Sequence, residues 1–176
     1  VDVLRFQEHV RMARLDAAGL LYRCWCTRAE IREAASAAHG PLPEGAYPGT
    51  CRELTAAEVA EREAGGRPPA WRVRSDGARV TFVDRVCGET TGAVDDFVVR
   101  RNDGAFAYNL AVVVDDIDQG VEEVVRGAAL LDTAPRQAWL ARSLGGEPPA
   151  FAPVPFGLGP HTRRLDKRSG PGTPAD

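Results

Sequence analysis

The chain carries a single lysine among 22 basic residues, a single methionine, and no apolar run near the roughly 20 residues that a membrane-spanning helix needs. The short apolar runs exclude a helical membrane anchor within this sequence, and with no charged-then-apolar leader the expected compartment is the cytoplasm. Four cysteines are too few for a dense disulfide framework, so metal ligation or free thiols are the expected uses. An excess of positive charge is also missing. Net charge is −3 with a pI near 5.7, so any contact with nucleic acid has to be made by a local patch. What is present is ordinary for a globular protein: 176 residues, 44% hydrophobic and 27% charged, enough for one good core or two small ones.

The chain opens at Val1 on a helix pattern. Val3, Phe6, Val10, Ala13, Ala17 and Leu20 recur at three- and four-residue steps, with Arg5, Glu8, Arg11 and Arg14 opposite and Gly19 near the end. Such a helix needs a sheet to cover, and the expectation is that an N-terminal half precedes Val1. An extended stretch, Leu21 to Thr27, follows. Thr27 with Glu30 and Thr55 with Glu58 are capping boxes that open helices at Arg28 and after Thr55. Trp71 to Arg74 and Val80 to Val83 flank Ser75-Asp76-Gly77 and read as a hairpin.

The stretch DDFVVRRNDGAFAYNLAVVVDDIDQGVEEVVRG, from Asp95 to Gly127, holds the densest signals. Phe97 to Arg101, the turn Asn102-Asp103-Gly104 and Ala105 to Tyr108 read as a β-hairpin. Leu110 to Val114 is a continuous apolar run, read as a buried strand of a parallel sheet, with Asp115 and Asp116 at its carboxyl edge where ligands bind. Val121 to Arg126 is the next strand, so Tyr108 and Arg126 face one pocket. Pro135 lies in the first turn of a helix that ends at Gly145-Gly146. The end, SGPGTPAD, has a disordered composition.

Cys24-x-Cys26 with Cys51 supplies three thiolates, most of a tetrahedral shell that favours zinc. Spacing leaves the fourth ligand open between His39, the commoner zinc donor, and Tyr47, which has to lose a proton with a free pKa of about 10. Four protein ligands leave no open position, so the metal is expected to be structural. The plainer account is three unrelated buried thiols. By residue type alone, Tyr108 is a sheet aromatic, Arg126 a surface ion pair and Arg164 to Gly170 a solvated basic loop. Asp115 and Asp116 cap a strand and pair with arginines, a paired-carboxylate metal site being the sharper alternative.

FAYNLAVVVDD, GVEEVVRG and TAPRQ together resemble the second half of the catalytic domain of class I glutamyl-tRNA synthetases and their short paralogue, the glutamyl-queuosine tRNA(Asp) synthetases. The paralogue is the nearer likeness, since Val112 stands where the glutamyl enzymes have an amide, and the likeness runs from about Leu4 to Gly170. It implies an α/β fold: the C-terminal half of a Rossmann-like domain with an inserted zinc-bearing α+β module. The divisions are 1–21 as a helix of that domain, 22–105 as the inserted acceptor-binding module, 106–160 as its second half, 161–170 as a KMSKS-like loop and 171–176 as a disordered tail. YPGTC matches the family's Tyr-x-x-x-Cys, which makes Cys24, Cys26, Tyr47 and Cys51 the ligands of one structural Zn2+. The resemblance gives Tyr108 and Arg126 to the glutamate and Lys167 to ATP, with Mg2+, as the catalytic lysine. Arginine at 164 replaces the family's first lysine there, and Asp166 stands where a small or hydroxyl residue is common.

The implied activity, as part of a longer chain, is ATP-dependent activation of glutamate and its transfer to the queuosine base of tRNA(Asp), by a monomer without membrane contact. The chain alone is expected to be inactive, because the HIGH-type sequence that holds ATP is not in it. The competing reading is a non-catalytic zinc module that binds RNA or a protein partner.

Overall fold

A computed structural model describes residues 5–37 and 47–155. Its first helix, α1 (Phe6–Ala17), buries Met12 and Leu15 and ends where Gly19 takes a left-handed backbone, φ 70°. β1 (Leu21–Cys24) follows, then α2 (Arg28–Ala37) and α3 (Ala56–Ala64), each opened by its expected Thr/Glu box. β1 pairs antiparallel with β2 (Ala70–Val73), and β2 with β5 (Val98–Arg100), giving a three-stranded sheet.

A second, mixed sheet has the order β4-β3-β7-β6, built from β3 (Arg79–Asp84), β4 (Gly88–Ala93), β6 (Glu123–Gly127) and β7 (Ala150–Val154). β3 and β4 are an antiparallel hairpin, while β7 lies parallel to both β3 and β6. The hairpin turn is tied by Asp84, whose Oδ1 accepts the N–H groups of Val86 at 2.8 Å and Cys87 at 2.9 Å. Two strands of this sheet come from within 22–105 and two from beyond it, so the sheet runs across residue 105.

Two local expectations need correction. Leu110 to Val114 is helix, not strand: it lies inside α4 (Tyr108–Gln119), and Asp115 and Asp116 sit on that helix rather than at a strand end. Leu110, Val113 and Val114 are its buried residues, the i, i+3, i+4 spacing of a helical stripe, and Gly120 closes it at φ 65°. Trp71 to Arg74 and Val80 to Val83 do not pair with each other, because β2 and β3 belong to different sheets. The turn between them is present, with Asp76 and Gly77 both at positive φ, but it hands the chain from one sheet to the other. The expected hairpin after β5 is present in short form: the chain returns antiparallel through the Arg100–Phe106 bridge, with Arg101 N–H on the Ala105 carbonyl at 2.8 Å and Ala107 N–H on the Val99 carbonyl at 2.9 Å, and Tyr108 then opens α4.

One apolar core joins the two sheets to α1, α4 and α5 (Ala134–Ser143). Leu15, Val73, Val99, Leu110, Leu140 and Phe151 are fully buried in it, and α5 lies across β3 and β4. Gly92 on β4 is required there: a Cβ would stand 2.2 Å from Pro135 Cγ. A smaller cluster of Tyr22, Cys24, Tyr47 and Cys51 lies apart from the main core.

Candidate functional site

β1 delivers Cys24 to the end of its strand, and the Thr27–Glu30 box turns the chain away directly after Cys26. Glu30 Oε2 accepts the Thr27 N–H at 2.5 Å, and hydrogen bonding from the Thr27 backbone and hydroxyl lowers the Glu30 pKa. Cys51 returns from a turn through Gly49, at φ 87°, in which Arg52 N–H meets the Gly49 carbonyl at 2.8 Å. The three sulfurs lie within 4.8 Å of one another, with Cys26 and Cys51 at 3.5 Å. In a tetrahedral site with Zn–S near 2.3 Å, sulfurs stand about 3.8 Å apart, so the cluster can hold a metal and is compatible with zinc.

Tyr47 joins the cysteines. Its hydroxyl is 3.4 Å from Cys24 Sγ and 3.5 Å from Cys26 Sγ, and it accepts the Cys51 backbone N–H at 2.8 Å. Arg72, on β2, places its guanidinium 3.7 Å over the Tyr47 ring. A hydrogen bond from Cys51 pulls the Cys24 thiol well below its ordinary range, helped by Tyr47 and Arg72, and the same bond pushes Cys51 up. Burial, with the two sulfurs, pushes Tyr47 up. A cation bound among these groups would displace their protons. His39 lies outside the described residues.

The same corner contains a buried carboxylate that sequence reasoning missed. Asp96 accepts from the Tyr22 hydroxyl at 2.8 Å and from both the backbone and hydroxyl of Ser75, at 2.8 and 2.7 Å, and Arg52 Nε is 3.4 Å away. Its neighbour Asp95 pairs with Arg136 of α5 at 2.5 Å. Their pattern, two adjacent acids before an apolar run, is indistinguishable in sequence from a solvated turn.

The second constellation forms where α4, β6 and α5 meet. Arg126 sits near the carboxyl end of β6, and its guanidinium lies 4.5 Å over the Phe151 ring. One terminal nitrogen donates to Gln137 Oε1 at 2.6 Å and Thr133 Oγ1 at 3.1 Å, while the other is buried without a hydrogen-bond partner among the described residues. Gln137 is itself buried and donates to Asn109 Oδ1 at 3.2 Å. Burial lowers the Arg126 pKa, opposed by the nearby Tyr108 and Asp116 of α4. Asp116 is raised by burial and by Asp115, with Arg126 pulling the other way. Tyr108, at the first turn of α4, is 58% exposed. The structure thus brings Tyr108 and Arg126 together, though through a helix end rather than a strand. Gln137, Thr133 and Asn109 escaped the sequence reading. Thr133 and Gln137 lie in the TAPRQ string and Asn109 in FAYNLAVVVDD, but neither string assigned them a role. Lys167 lies outside the described residues.

Across residues 5–173 the sequence matches the family of tRNA synthetases class I (E and Q), catalytic domain. The chain belongs to that family. Among curated class I relatives, the glutamyl-Q tRNA(Asp) synthetase of Nocardia farcinica is 54% identical over 172 residues, covering 98% of this chain and 55% of its own length. That of Symbiobacterium thermophilum is 50% identical over 163 residues, 90% of this chain and 50% of its own. The chain spans about half the length of these class I relatives. The crystal structure of a glutamate-tRNA synthetase from Elizabethkingia anophelis superposes with a TM-score of 0.76 at 23% identity, over 96% of this chain and 36% of that one. That likeness shows the class I fold, an α/β arrangement with mixed sheets.

Proposed function

We propose that this chain is the C-terminal half of the Rossmann-like catalytic domain, with its inserted module, of a glutamyl-Q tRNA(Asp) synthetase. In that role it takes part in activating glutamate with ATP and passing it to the queuosine base of tRNA(Asp). The observation that carries the reading is Arg126: a guanidinium anchored on one side by Gln137 and Thr133, with its other terminal nitrogen buried and unpartnered among the described residues, and with Tyr108 near enough to act on its charge. A carboxylate is the natural complement of that nitrogen, because a charge-assisted pair satisfies a buried donor that otherwise remains costly. Arg126 therefore takes a carboxylate of the glutamate and Tyr108 adds a hydroxyl contact.

Lys167 neutralises the triphosphate, with Mg2+, while the glutamate α-carboxylate attacks the α-phosphorus and pyrophosphate leaves. Cys24, Cys26, Tyr47 and Cys51 would hold one zinc ion, which would fix the module and take no part in the reaction. A cytoplasmic monomer completes the reading. The test is ATP–pyrophosphate exchange by a full-length protein that carries this segment. Exchange that depends on glutamate is the expected result, and exchange without glutamate dependence overturns it.

A further inference from the structure

Between β4 and β5 the chain crosses from the mixed sheet to the three-stranded one, and this connector touches both corners described above. Its backbone is tied at each end: Val94 N–H meets the Ala78 carbonyl at 2.9 Å, and the Phe97 carbonyl accepts the Val73 N–H at 3.1 Å. Its side chains part in two directions. Asp96 turns to the cysteine side, where its carboxylate accepts from Tyr22 and Ser75 and its carbonyl accepts from Arg72 at 2.7 Å. Arg72 in turn lies over the Tyr47 ring. Asp95 and Phe97 turn the other way, to α5. Arg136 Nε donates to Asp95 Oδ1 at 2.5 Å, and the Phe97 ring meets Trp139 edge-on with centroids 6.2 Å apart. Gly92, at the end of β4, lies against Pro135 of the same helix.

The Asp95–Arg136 pair differs from a surface contact. Asp95 is buried, and a buried carboxylate that loses its cation is left as an uncompensated charge, so the pair has little freedom to exchange partners. Arg136 is followed directly by Gln137, about 100° further round the helix, and Gln137 Oε1 accepts from Arg126 at 2.6 Å. A rotation of α5 that lengthened the first contact would move Gln137 against Arg126 as well. We propose that Asp95 is a positioning residue for the Arg126 site: through Arg136 it sets the rotation of α5, and with it the Gln137 acceptor that aims the Arg126 guanidinium. The inference rests on the synthetase reading only for the identity of the carboxylate that Arg126 receives. The link from Asp95 to Arg126 stands without that reading.

The experiment makes two measurements on a full-length protein that carries this segment, for the wild type, Asp95→Ala, Arg136→Ala, their double variant and Ser75→Ala. One is the glutamate KM and kcat in ATP–pyrophosphate exchange. The other is the rate at which phenylglyoxal, an arginine-selective reagent, labels Arg126, read from its own peptide by mass spectrometry. Ser75 holds the opposite side of the same connector, its hydroxyl 2.7 Å from Asp96 Oδ1 and 2.9 Å from the Val94 carbonyl, so its loss loosens the side away from α5. A cooperative thermal transition in each variant establishes that it is folded, and the double variant serves where Arg136→Ala, which strands a buried carboxylate, does not fold. Asp95→Ala is expected to raise the glutamate KM about fivefold with kcat within about twofold, and to speed Arg126 labelling by a similar factor. Arg136→Ala should match it, and the double variant should exceed neither single one, because both substitutions cut the same link. Ser75→Ala is expected to lower the Tm by a few degrees, roughly the loss of one buried hydrogen bond, and to leave KM and labelling within about twofold.

KM and labelling that follow the loss of Tm across all the variants, Ser75→Ala included, would show a general loosening and overturn the assignment, as would an Asp95→Ala protein in which either quantity is unmoved. Glutamate-dependent exchange by the wild type separates the two readings. Its failure, with Arg126 labelling raised in Asp95→Ala alone of the Asp95 and Ser75 variants, removes the synthetase assignment and leaves Asp95 as the residue that positions Arg126. Its success, with KM and labelling unchanged in Asp95→Ala, removes the positioning role alone.

Discussion

The cysteine corner and the Arg126 corner show opposite ways of building a site. In the first, Cys24, Cys26, Tyr47 and Cys51 hydrogen-bond to one another, and the unmet donor beside them, Arg72 Nε, belongs to a side chain stacked on Tyr47 and not to the ligand set. In the second, donors come from α4, β6 and α5, one side chain is more than half exposed, and a buried guanidinium nitrogen of the site itself has no partner among the described residues. A group that satisfies itself holds a fold together, whereas a group with one unmet donor waits for a ligand. The difference lies in polar satisfaction rather than in residue type.

The largest expected effect comes from opening the closed corner. If metal binds with free metal about a thousandfold above its Kd, linkage stabilises the fold by about 4 kcal/mol. For a chain of this size that corresponds to roughly 10 °C in Tm. Chelation, or Cys51→Ser, is therefore expected to lower the Tm by that order and to take metal content from one ion per chain to none by elemental analysis. A Tm indifferent to chelator would mean that the thiols are ordinary packing residues and that the comparison fails on its first side. Next in size is the open corner. Arg126→Ala is expected to raise the KM for glutamate in pyrophosphate exchange about a hundredfold, the size of a lost charge-assisted hydrogen bond of about 3 kcal/mol. Arg126→Lys should recover little, because a point charge cannot keep Gln137 and Thr133 while also meeting a carboxylate. A KM unchanged in both variants would remove Arg126 from the site.

The same contrast explains what the sequence could reveal. Donors close along the chain leave a readable spacing, so Cys24, Cys26 and Cys51 were legible together, as were the two Thr/Glu boxes, while Tyr47 over His39 came from the family resemblance and not from spacing. Arg126 was found, but its partner Gln137 was not, since their contact depends on how α5 crosses the sheet. Leu110 to Val114 failed for a related reason: five consecutive apolar residues fit a buried strand and a buried helix equally well. The deciding signals were longer in range, namely Ile117 continuing the stripe and Gly120 in the left-handed region that ends the helix. β4, Gly88–Ala93, went unread because an exposed edge strand of Gly, Thr and Glu has no apolar alternation to detect.

Smaller effects sharpen the description of the open corner. Gln137→Ala removes the shorter of two bonds that hold one guanidinium nitrogen, so about a tenfold rise in glutamate KM is expected with kcat nearly unchanged. Gln137→Glu should restore the anchoring acceptor and most of the KM. Tyr108→Phe removes one hydroxyl from an exposed ring, and a change of only a few-fold is expected. If Tyr108→Phe outweighed Gln137→Ala, ligand contact would matter more at this site than the rigidity of Arg126.

The smallest effect tests whether the corner is electrostatically open in its free state. Burial and the charge of Asp115 raise the Asp116 pKa, while Arg126 lowers it, and the balance is a net rise. For an acid whose folded pKa lies above its unfolded value of about 3.9, the fold binds the proton more tightly than the unfolded chain does. The Asp116 contribution is therefore fully present below the unfolded pKa and is lost as pH rises through the folded one. At pH 7 the carboxylate is a net cost, and Asp116→Asn should raise the Tm there. That advantage should shrink on acidification and vanish once pH falls below the unfolded value, in a pair of thermal melts run on the two proteins. An advantage of constant size across that range would show that the substitution acts through packing of α4. An inverted one, with Asn less stable at pH 7, would show that the attraction of Asp116 to Arg126 already outweighs its burial, leaving the corner closed before any ligand arrives.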